Sequence, residues 1–154
     1  MGPSTPLKTK VLLATVSVLL ISLLVANGIV LSRHKPLWND EIYTQTHIIE
    51  TAGYGKILSG RIPEGNNFPL FYMLQKTFLK MNAYRFPVTW DGEWEIYDPR
   101  SQFFLRILPN IFMSFSILAI FLYFWRTVGI LAGLLALGLT LSSSAVWSYW
   151  AEAR

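Results

Sequence analysis

The sequence predicts an all-α integral membrane protein: three transmembrane helices, with a long polar loop between the first and the second. Three observations predict it. Of the 154 residues, 53% are hydrophobic and only 14% charged, whereas a soluble domain carries about 25% charged residues to face water. The apolar residues gather into three uncharged runs, 11–31, 107–125 and 128–150. The basic residues Lys8, Lys10, Arg33, Lys35, Arg106 and Arg126 flank these runs and do not interrupt them.

The elements follow in order. Residues 1–10 form a short tail containing proline. The run 11–31 has 21 residues; as a helix it is about 32 Å long, enough to cross a hydrocarbon core of about 30 Å. A basic tail, an apolar run and the small residues Ala26-Asn27-Gly28 also fit a cleaved signal peptide. The run continues through Ile29, Val30 and Leu31 to a basic stop, which favours a retained span.

The polar segment 32–106 has 75 residues. In it, Asn39 or Asp40 can cap a helix running to Ala52, with Glu41 in the first turn. Trp38, Ile42, Ile49 and Ala52 recur at helical spacing, and Gly53, Gly55 and Gly60 then break the pattern. Residues 68–81 form a second short helix, apolar around most of its girth with Lys76 and Lys80 along one edge. It is too short to span and suits the membrane interface. Asp91-Gly92, between Thr89-Trp90 and Glu93-Trp94, is a two-residue β-hairpin signal. The spans 107–125 and 128–150 are joined by little more than Arg126-Thr127 and are expected to pair as a tight helical hairpin. Residues 151–154 emerge from the third span and begin a second loop.

Composition also excludes functions. The net charge of +4 comes from dispersed residues, and no nucleic-acid recognition motif accompanies them. With no cysteine, disulfides, thiolate chemistry and cysteine-ligated zinc are ruled out. No glycine-rich phosphate loop precedes a helix. His34 and His47 stand without a second ligand at metal spacing, and Asp91, Glu93, Glu95 and Asp98 do not form a calcium loop. Trp90, Trp94 and Tyr97 can stack on sugar rings, although aromatic residues also collect at membrane interfaces.

Two groups can carry chemistry. Asp40 and Glu41 are adjacent carboxylates nine residues beyond the first span, where reduced solvation can hold a general base near a useful pKa. Their ordinary reading is a helix cap and a first-turn acid. Glu152 and Arg154 follow the third span and can meet a lipid phosphate, or serve as a plain charged helix end. Charges near the span ends balance and do not orient the chain. Two spans separate the long loop from Glu152, so Asp40 and Glu152 share one membrane face.

Four landmarks resemble the amino-terminal part of the polytopic glycosyltransferases of the C superfamily, in the bacterial branch similar to protein mannosyltransferases and aminoarabinose transferases. Trp38-Asn39-Asp40-Glu41 resembles the family's acidic pair after the first span. Asn67-Phe68-Pro69-Leu70-Phe71-Tyr72 resembles its His-Pro-Pro-Leu-Tyr-Tyr segment, with Asn67 and Phe68 departing from it. Arg106-Ile107-Leu108-Pro109 is similar to its Arg-Leu-Pro. Tyr149-Trp150-Ala151-Glu152-Ala153-Arg154 is similar to its Tyr-Ser-Gln-Glu-Ala-Arg, with Ala151 in place of the polar residue.

The resemblance implies transfer of a sugar from a polyprenyl-phosphate donor to a hydroxyl on a lipid, glycan or protein. Asp40, or Glu41 beside it, would take the proton of the acceptor hydroxyl. Glu152 would hold a divalent metal or orient a cation, and Arg154 would contact the phosphate. It also implies a multi-pass protein of the cell membrane, with a cytoplasmic amino terminus and an extracytoplasmic long loop. Arg154 falls inside a motif, so the chain is expected to be part of a longer enzyme and inactive by itself. The alternative, from another class, is a small non-enzymatic membrane subunit or assembly factor.

Overall fold

The computed structural model describes residues 7–62, 69–86, 95–96 and 98–150. The described residues are mostly helical, 83%, and among them two helices are long and apolar enough to cross a membrane. It divides into two compact units, one made of Met1–Val30 with Asn110–Ala151 and one built on Leu31–Pro109.

The first unit holds the apolar helices. Helix α1 spans Leu7–His34, which at 28 residues reaches about 42 Å, longer at both ends than the uncharged run. Helix α5, Pro99–Thr127, contributes its later part. Val128 and Gly129 both donate backbone N–H groups to the Phe124 carbonyl, and Gly129 at φ 137° turns the chain where an L side chain would be strained. Helix α6, Ile130–Ser142, follows. It lies close to α5 at Gly133, where an added Cβ would stand 3.0 Å from the Phe121 carbonyl oxygen.

The expected third span is interrupted. Its helix ends at Ser142, Ser143 is extended (φ −73°, ψ 120°), and α7 resumes over Ser144–Tyr149. Three consecutive serines offer the backbone side-chain hydrogen-bond partners that compete with helix continuation. The Ser142 hydroxyl donates to the Leu139 carbonyl. At 13 residues, α6 alone covers only about 20 Å.

The second unit is a packed body with its own apolar core, which a reading of the segment as a loop does not convey. Strand β1 (Leu37–Trp38) leads into α2 (Asn39–Tyr43), a π-helical segment (Thr44–Glu50), α3 (Tyr54–Leu58) and α4 (Pro69–Met81). Leu37, Ile42, Ile48, Ile57 and Leu105 are fully enclosed. Tyr84 stacks on Phe104 with ring centroids 4.6 Å apart, an arrangement worth more than its buried area alone.

The helix expected from Asn39 or Asp40 to Ala52 begins on schedule, but its cap is Trp38, and its second half widens into π-type turns. Helix α4 appears where the pattern put it. It turns Tyr72, Gln75 and Leu79 into the core, so much of its apolar girth is spent on protein packing, while Leu70, Leu74 and Met81 stay exposed. The hairpin expected around Asp91-Gly92 lies outside the described residues. Strand β2 (Glu95–Ile96) pairs antiparallel with β1, Leu37 opposite Ile96 and Trp38 opposite Glu95.

Helix α5 starts eight residues before the uncharged run at 107. Asp98 caps it, accepting the Ser101 N–H at 3.0 Å and the Arg100 N–H at 3.3 Å, and Pro99 fills the first helical position, where a missing N–H costs nothing.

Candidate functional site: the acidic pair and Arg106

The acidic pair opens α2, and its two members have different surroundings. Helical geometry turns consecutive side chains about 100° apart. Ile42 is fully buried, and Glu41 is turned inward beside it, 1% exposed. Asp40 is exposed.

A buried carboxylate must be paired, and Glu41 is. Arg106, also fully buried, comes from α5, 65 residues away. Its Nε donates to Glu41 Oε1 at 2.9 Å and its Nη2 to Oε2 at 2.5 Å, the fork-on-fork geometry that suits guanidinium and carboxylate. The Trp38 backbone N–H donates to the same Oε2 at 3.0 Å, so Glu41 also secures the start of α2.

Arg106 uses its remaining donors on carbonyls: Nη1 on Ser32 (3.0 Å) and Lys35 (2.8 Å), Nη2 on Pro36 (2.6 Å). All five guanidinium N–H groups are thereby spent. Ser32 lies in the last turn of α1, whose terminal carbonyls have no partner within the helix, and a cation there also meets the negative end of the helix dipole. Gln102 reinforces the junction, its Nε2 donating to the Lys35 carbonyl at 2.7 Å. One residue thus ties the end of α1, the turn after it and the acidic pair to the start of α5.

The geometry assigns the two acids different chemistry. Both oxygens of Glu41 are engaged by strong donors, so it holds the start of α2 against α5. Asp40 is the solvent-exposed member of the pair. The surroundings also hold a stacked Tyr43–His47 pair with centroids 4.3 Å apart, and Thr46 Oγ1 lies 2.8 Å from His47 Nδ1.

Glu152 and Arg154, the other expected site residues, lie outside the described residues. Among the described residues no group of three or more acidic, His or Cys side chains could hold a metal, and Glu41 has its oxygens committed to Arg106. Sequence reasoning noted Arg106 as a flank of the second span and missed it as the partner of Glu41. The available signal was an arginine at the start of the second uncharged run and an acid in the segment after the first. Comparison with known protein families, curated proteins and solved structures finds no match.

Proposed function

We propose that the chain belongs to a membrane-embedded glycosyltransferase that moves a sugar from a polyprenyl-phosphate donor to a hydroxyl acceptor at the outer face of the cell membrane. The supporting observation is the junction just described. Two landmarks of the resemblance, the acidic pair and the arginine that opens the second span, are joined by a buried bidentate ion pair, and this leaves Asp40 exposed beside a rigid anchor.

In this reading Asp40 accepts the proton of the acceptor hydroxyl as its oxygen bonds to the anomeric carbon. The bond from that carbon to the phosphate oxygen breaks, and the lipid phosphate leaves as an anion with the bonding pair. Its charge needs neutralising as it develops, the role given to Arg154, with Glu152 orienting the group. The acceptor is a lipid, a glycan or a protein hydroxyl. The amino terminus is cytoplasmic, and the third crossing is completed by α6 and α7 together.

Asp40→Asn keeps the shape of the site and removes the base. Transfer from a polyprenyl-phosphate sugar, followed in native membranes carrying the variant, should fall by about 10²–10⁴-fold, the usual contribution of a positioned base, with unchanged thermal stability. Full activity in a folded Asp40→Asn protein would remove the catalytic reading. The alternative of a non-enzymatic membrane subunit would then be the better account of the acidic pair.

A further inference from the structure

The break at Ser143 opens a groove of about 330 Å³ within the first unit. One wall comes from α1, where Leu23, Leu24 and Val30 surround Asn27. The other comes from Leu141 before the break and Trp147 after it. Trp147 is fixed there, because its Nε1 donates to the Leu141 carbonyl. That carbonyl is among the last of α6, which have no donor within the helix, and hydrocarbon offers them no water. The indole thus satisfies the backbone at the break and gives the groove a rigid apolar side.

Asn27 sets the chemistry of the occupant. It lines the groove and is exposed, and its amide forms no hydrogen bond among the described residues. Helix α1 is long and apolar enough to cross a membrane. Its uncharged run ends at Leu31, about 6 Å beyond Asn27 along the helix. An amide at that depth is costly without a partner. The occupant is therefore apolar along most of its length and carries a hydrogen-bond acceptor near its polar end.

We propose that this groove holds one acyl chain of a bilayer glycerolipid, whose ester carbonyl accepts the Asn27 Nδ2–H. A second helix is too bulky: with side chains it is about 10 Å across, so a single turn fills about 400 Å³, more than the groove contains. A polyprenyl phosphate is thin enough, but it has no acceptor below its phosphate and leaves Asn27 unpaired. A glycerolipid carries two ester carbonyls between headgroup and chains, at the depth of a residue one turn inside the run. The assignment requires α1 to cross the membrane and does not depend on the transferase reading.

Native mass spectrometry of the purified chain, released from detergent micelles carrying lipid, tests it. The probes are dioleoylphosphatidylcholine, its diether analogue, which keeps the chains and headgroup but lacks both carbonyls, and a polyprenyl phosphate. The diester lipid should be retained about three- to tenfold more tightly than either of the others, the effect of one hydrogen bond. Asn27→Leu, a change on an exposed side chain, should bring the diester lipid down to the diether level and leave the diether lipid unchanged. Ala26→Phe, on the same wall and also exposed, should weaken retention of all three probes. Equal retention of diester and diether lipids, tightest retention of the polyprenyl phosphate, retention unmoved by either substitution, or a dimer of the chain that Asn27→Leu dissociates would overturn the proposal.

Discussion

At the scale of single residues, the Glu41–Arg106 pair dominates. Removing one partner of a buried ion pair strands the other charge, at a cost of about 3–5 kcal/mol. Glu41→Gln should therefore lower stability strongly, because its amide turns a donor toward the guanidinium. The double variant Glu41→Leu, Arg106→Met should recover only part of the loss. The charges are then gone, but the carbonyls of Ser32, Lys35 and Pro36 have lost their donor. Thermal unfolding of Glu41→Leu, of Arg106→Met and of the double variant closes the cycle, and a coupling energy of zero would contradict the geometry.

Asp98 sets a pH dependence at the same scale. Partial burial raises its pKa, but the Ser101 hydroxyl and the Ser101 and Arg100 amides outweigh that and hold it below the ordinary 3.8. A depressed carboxylate stabilises fully above its unfolded value and loses that contribution as pH falls through the folded one. Asp98→Ala should cost about 1 kcal/mol at neutral pH, as lost caps do, and the gap from the native protein should close as pH drops below 3.8. Tyr84 runs the other way: burial raises its pKa above 10.0, against the opposing Ser101 hydrogen bond. Its folded state favours the neutral phenol, and that preference destabilises the fold as pH rises past 10.0.

At the scale of elements, the start of α5 shows how a helix inside a packed unit tolerates proline. Pro109 lies within the helix and cannot donate to the carbonyl four residues back, that of Leu105. Gln75, fully buried on α4, donates its Nε2 to that carbonyl at 3.0 Å and to Phe104 O at 3.3 Å. The proline and the glutamine are thus energetically linked. Gln75→Leu should destabilise by about 1–3 kcal/mol by leaving a buried acceptor unpaired. The same change in a Pro109→Ala background, where the helix supplies its own N–H, should cost clearly less. Equal costs in both backgrounds, measured by denaturant unfolding, would show the two to be unlinked.

At the scale of the whole molecule, the functional reading requires the two acidic groups on one membrane face. The chain has no cysteine, so single cysteines report topology without background. Ser59→Cys in the second unit and Ala153→Cys near the last residues should both react with an impermeant maleimide from the same side of sealed vesicles. Reaction from opposite sides would remove the shared site, because no lipid-borne phosphate could then lie beside both groups.

The sequence by itself determined two helices long and apolar enough to cross a membrane, α4 and the place of the acidic pair at the start of α2. These depend on local quantities: run length against bilayer thickness, 3.6-residue periodicity, and a polar residue at a helix start. Where a local pattern was open to competition the structure departs from a continuous helix, as in the uncharged run 128–150, whose helix breaks at Ser143. Only the tertiary structure decided which of two adjacent acids is exposed. The reason is that Arg106 stands 65 residues away, and its partner is chosen by where α2 and α5 pack.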